Sequence, residues 1–135
     1  ADAMRRFIPL SLFAAAALAP TLALAGRPAV SPAVVGELLE RPDAPLLLDV
    51  RTPEEFAKGH LPGAVLIPHD QLASRLAELE GKPWVLVYCR SGARATQAQA
   101  VLEQAGIEVR QVQGSWLRWQ AEGRPSAAPS AGSAE

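Results

Sequence analysis

Apolar positions follow two rhythms along this chain, and their alternation predicts its architecture. SPAVVGELLE, from Ser31, sets Val34, Val35, Leu38 and Leu39 on one helical face, with Ser31 as N-cap and Pro32 at the first helical position. PLLLDVR, residues 45–51, is a continuous apolar run of strand length. TPEEF then repeats the capping pattern with Thr52, Pro53 and two glutamates near a positive helix end. GHLPGAVLIP reads as a loop entering a short strand, after which Leu72, Leu76 and Leu79 mark a helix face. PWVLVY, residues 83–88, is apolar on both faces, as suits a central parallel strand covered by helices on both sides. From about Ala93 a helix is predicted in which Ala98, Val101, Leu102 and Ala105 fall at i, i+3, i+4, i+7, until Gly106 ends it. IEVRQV gives a last strand and GSWLRWQAEG a last short helix. Strands alternating with helices predict an α/β domain with a largely parallel sheet.

The two ends of the chain break this rhythm. Ala1-Asp2-Ala3 ahead of Met4 reads as a cloning scar, Arg5 and Arg6 as a positive leader, and Phe7 to Ala19 as an apolar stretch. Pro20 and the small-residue site Ala23-Leu24-Ala25 complete the pattern of a secretory signal peptide cleaved before Gly26. An uncleaved anchor is the competing reading, but Pro9, Ser11 and Pro20 interrupt the run that a bilayer span of about 20 apolar residues requires. The expected organisation is a scar and leader over 1–25, a domain over 26–125, and a disordered Pro/Ala/Ser-rich tail over 126–135. The expected location is periplasmic, with membrane contact only in transit.

A chain of 135 residues with 49% hydrophobic content supports one core and leaves little for a second. Its net charge of −1, from 13 basic and 14 acidic residues, lacks the electrostatic footprint of a nucleic-acid binder. Cysteine usage is more informative. Exported domains commonly pair their cysteines, yet this chain has one, Cys89, which is either an inert buried hydrophobe or a reactive thiol. Its position favours reactivity. Cys89 ends a predicted strand, where open parallel sheets bind ligands, and the helix beginning near Ala93 aims its free N–H groups back toward it. Ser91 and Gly92 suit a tight turn, and Arg90 and Arg94 add two cations. All of these favour a thiolate. His60 and His69 stand nine apart without acidic or thiol partners at ligand spacing, so no metal site is expected.

CRSGAR, residues 89–94, resembles the active-site loop of rhodaneses, sulfurtransferases that carry sulfur as a cysteine persulfide. LLLDVRTPEEFAKGHLPGAVLIP is similar to the family's Asp-Val-Arg and Gly-His-Ile-Pro-Gly-Ala segment, with Leu61 in the isoleucine place, and VQGSWLRWQAEGRP to its closing Gly-Gly-Trp-x-x-Trp helix, with Ser115 for the second glycine. The resemblance implies a rhodanese-like three-layer fold, with a five-stranded, mainly parallel sheet between helices. It also implies Cys89 as nucleophile, a donor-binding loop of Arg90, Ser91, Gly92, Ala93 and Arg94, and no cofactor. The partners implied are a small sulfur donor such as thiosulfate and a thiophilic acceptor, whether cyanide, a small thiol or a protein thiol. Four residues separate Cys89 from Arg94, where related cysteine-dependent phosphatases use five, so the tighter cradle suits one sulfur atom better than a tetrahedral oxyanion. Phosphatase or arsenate-reductase chemistry stands as an alternative, as does a persulfide carrier or partner-binding module without turnover. Two readings are open for Arg94: recognition of a sulfonate, or bracing of the loop. Asp49 and Arg51, ending the neighbouring strand, read as a structural ion pair before a catalytic one. His60 reads as structural, and Trp116 and Trp119 as core with the option that one walls the pocket.

Overall fold

A computed structural model describes residues 26–128; the leader expected over 1–25 and the tail from 129 lie outside the described residues. The elements follow in the order α1 (Pro32–Leu39), β1 (Leu46–Asp49), α2 (Pro53–Lys58), β2 (Val65–Leu66), β3 (Val85–Tyr88), α3 (Ala93–Gln104), β4 (Val109–Gln111) and α4 (Ser115–Ala121). All the strands are parallel, in the order β2-β1-β3-β4. Asp49 pairs with both Leu66 and Tyr88, so the carboxyl ends of three strands meet on one edge.

Strand alternation divides the core in two. Leu48, Val50, Val85, Val87 and Cys89 pack against Ala95, Ala98 and Leu102 of α3. Leu47, Leu86 and Tyr88 pack on the other side with Val35 of α1 and Trp116 and Trp119 of α4. Helices therefore cover both faces, as the apolar run at 83–88 requires.

Three expectations are corrected. Among the described residues the sheet has four strands, not the five that the resemblance implies; beyond β4 the ladder continues only as a single parallel bridge between Val30 and Val112. Its bonds, Val30 N–H to Gln111 O and Gln113 N–H to Val30 O, cannot extend far, since Pro28 and Pro32 on either side have no N–H to donate. The leucines at 72, 76 and 79 lie on two 3₁₀ turns, Leu72–Ser74 and Leu76–Leu79, instead of an α-helix. The two segments, joined at Arg75, still bury Leu72 and Leu79 in the core and pack Leu76 against it. Within the expected tail, Ala127 is tied to the domain: it exchanges two backbone bonds with His60, at 2.8 and 2.9 Å. On α3 the buried face is Ala95, Ala98 and Leu102, and Ala105, the C-cap, is exposed.

Candidate active site

β3 delivers Cys89 to the carboxyl edge of the sheet, and four residues later the chain is helical. The sulfur accepts the Gly92 N–H at 3.0 Å. Gly92 is the N-cap of α3 with φ +121°, a conformation that glycine adopts readily and that turns its amide back toward the sulfur. α4 holds the nucleophile's backbone from the other side. The Cys89 N–H donates to Ser115 Oγ at 3.2 Å, the Trp116 N–H to Cys89 O at 3.0 Å, and the Leu117 N–H to Arg90 O at 3.1 Å. Cys89 is only 1% exposed, so a reagent must be small to reach it.

Asp49 and Arg51 form the buried ion pair read from the sequence. Arg51 Nη2 lies 2.7 Å and Nε 3.0 Å from Asp49 Oδ2, and Nη2 also donates to Gly59 O at 2.8 Å. The guanidinium sits 4.8 Å from the Trp116 ring and 5.5 Å from that of Tyr88, whose hydroxyl accepts the Leu61 N–H. Burial, reinforced by the charge of Asp49, pushes the Tyr88 phenol above its ordinary pKa. This cluster joins β1, β3, α4 and the Gly59-Leu61 loop, and Arg51 also lines the cleft beside Arg90. Removing one partner of a buried ion pair such as Asp49 and Arg51 strands a buried charge, at about 3–5 kcal/mol.

Arg94 reaches across to α2. Its two terminal nitrogens meet the Glu55 carboxylate at 2.6 and 3.0 Å, a bidentate pair that holds Glu55 down to a pKa of about 2. Glu55 also closes the capping box of α2 with Thr52. The sequence reading found only the cap. The long-range half of Glu55's role carries no local signal, because its partner lies 39 residues away. The pair ties α3 to α2 through a carboxylate, where the bracing reading had named backbone carbonyls.

The loop separates two hollows of about 230 Å³ each. One is a cleft flanked by Arg90, Lys58 and Glu55, with Trp116 and Leu117 as its apolar wall. The other lies behind Ser91, Gly92 and Ser115, among Gln99, Gln111 and Gln113. Arg90, Ser91 and Ala93 are exposed. Trp116 thus serves both core and cleft, whereas Trp119 is anchored by its indole N–H on Pro125 O at 2.7 Å. Lys58, Leu117 and Ser115 went unread as site residues; only the departure of Ser115 from the family's glycine marked it. His60 stacks on Phe56 with ring centroids 3.6 Å apart and hydrogen-bonds Phe56 O, a structural position.

A parallel sheet covered by helices on both faces, presenting one thiol on a helix-start amide five positions before an arginine paired with a carboxylate, defines a cysteine-loop α/β protein. More narrowly, the chain belongs to the rhodanese-like domain family, whose model matches residues 31–122, and so to a family of sulfurtransferases and sulfur carriers. It is 42% identical over 93 residues to an HTH-type transcriptional regulator of Mycobacterium tuberculosis, covering 66% of this chain and 41% of that protein. With a sulfurtransferase of Allochromatium vinosum it shares 41% identity over 85 residues, 62% of this chain and 79% of the relative. The crystal structure of the Alr3790 protein from Anabaena superimposes with a TM-score of 0.67 at 31% identity, covering 74% of this chain and 82% of that one. The chain thus spans less than half of the regulator and most of the sulfurtransferase.

Proposed function

We propose that this domain moves sulfane sulfur from thiosulfate, or a similar donor, to a thiophilic acceptor through a persulfide on Cys89. The observation that carries the proposal is the sulfur of the sole cysteine resting 3.0 Å from the Gly92 N–H, at the amino end of a 12-residue helix. Deprotonated Cys89 attacks the outer sulfur of thiosulfate. The S–S bond of the donor breaks, sulfite leaves with the electron pair, and Cys89 carries an extra sulfur whose negative charge the loop amides stabilise. Cyanide or a thiolate then attacks that outer sulfur, and Cys89 recovers its electron pair. Each half-reaction balances without a cofactor. In the cleft, Arg90 and Lys58 draw in anionic donors, and the Trp116 and Leu117 wall accommodates an apolar acceptor stem.

Intact-mass spectrometry tests the intermediate. Thiosulfate alone is expected to leave the protein one sulfur atom heavier, and cyanide to restore the original mass with one thiocyanate released per persulfide. Cys89→Ser is expected to fold normally and gain nothing. Mass gain in that variant, or turnover without gain in the wild type, removes the persulfide mechanism. The near-complete burial of Cys89 favours one further reading, a carrier that loads sulfur but turns over slowly, and steady-state rates with several acceptors separate it from an enzyme. We also infer export, with the chain beginning at Gly26 after secretion; N-terminal sequencing that still finds Met4 refutes cleavage.

A further inference from the structure

The geometry points to Ser115 as a positioning residue for Cys89, a role that rests on the persulfide reading but has its own readout. Ser115 is the one described non-glycine residue with positive φ, +52°, and it is 1% exposed. A left-handed backbone at a side-chain-bearing residue is unfavourable and persists only where the surroundings hold it. Here its hydroxyl does specific work. Oγ accepts the Cys89 N–H at 3.2 Å, and the following Trp116 N–H takes Cys89 O at 3.0 Å. Both peptide groups flanking the Cys89 Cα are therefore tied to adjacent residues of α4. With both tied, the direction of the Cα–Cβ bond is fixed, so one χ1 rotamer suffices to set the sulfur on the Gly92 amide. Glycine at 115 would suit the backbone better and leave the Cys89 amide without its side-chain acceptor. The strained serine is thus explained by what its hydroxyl holds.

Two variants separate positioning from stability. Ser115→Ala removes the hydroxyl and keeps the unfavourable φ, whereas Ser115→Gly removes both. With thiosulfate as the probe, each is expected to lower the limiting single-turnover rate of persulfide formation about tenfold, the effect of one lost hydrogen bond to a buried donor, with the half-saturating donor concentration unchanged. By NMR hydrogen exchange, the Cys89 amide is expected to exchange about tenfold faster in both, with the amides of Val85 and Leu86 unaffected. Ser115→Gly is expected to keep the wild-type melting temperature or exceed it, so that rate and stability part company. A wild-type limiting rate in Ser115→Gly overturns the proposal, as does a change confined to half-saturation or unaltered exchange at Cys89. If the wild type takes up no sulfur at all, the persulfide reading falls, while the exchange comparison still decides whether Ser115 holds Cys89.

Discussion

Arg94 and Glu55 illustrate how one side chain can serve two structures at once. Glu55 caps α2 through Thr52 and grips Arg94 of α3, so a local motif and a long-range tie share one carboxylate. Because Arg94 holds Glu55 at about 2, below its ordinary 4.5, the folded state binds this proton more weakly than the unfolded state. The stabilisation is therefore complete above pH 4.5 and disappears as pH falls toward 2. About a quarter of each side chain is exposed, so screening limits the contribution to about 1 kcal/mol. Glu55→Gln keeps the capping geometry, since glutamine also closes such a box. Urea midpoints of wild type and Glu55→Gln are expected to differ at pH 6 and to converge by pH 2, and a gap that persists at pH 2 refutes the ion-pair account. At this scale the sequence revealed contacts between neighbours, such as Asp49 with Arg51 two residues on, but not those closed by folding.

Elements were legible where burial dictates composition and obscure where geometry is short. The apolar runs at 45–51 and 83–88 announced β1 and β3 because central strands have no polar face to show. The leucines at 72, 76 and 79 satisfied the helix period, but the chain breaks at Arg75 into two 3₁₀ segments, and no side-chain cap or glycine announces that break. The strand-to-helix loop was readable because its residues are contiguous in sequence. Its length fixes two contacts together, the Gly92 amide on Cys89 Sγ and Arg94 on Glu55. Inserting one glycine between Gly92 and Ala93 separates these anchors, so the loop keeps one at the expense of the other. Thiosulfate turnover is expected to fall about 100-fold, the scale of losing one aimed donor, with secondary structure by circular dichroism unchanged. Undiminished turnover would show that cradle length does not govern the chemistry.

At the scale of the molecule, the site edge is closed by segments distant in sequence. Ala127 pairs with His60, and Pro125 O accepts the Trp119 indole, so the chain end fastens α4 and the loop after α2 at once. Composition had suggested a tail free from 126, because a stretch with little to bury can still be held by backbone bonds that leave no trace in residue type. Deleting residues 124–135 removes both fastenings. The melting temperature is expected to drop by about 4–8 °C for each kcal/mol lost, and an unchanged value refutes a structural role for that end. The 1% exposure of the sole thiol has a consequence of another kind. A maleimide too bulky for the folded protein can label Cys89 only when the sheet edge opens. When reclosing outpaces labelling, the labelling rate in plain buffer is proportional to the population of that open form. The chain therefore carries its own gauge of fluctuation, readable without denaturant or an introduced cysteine.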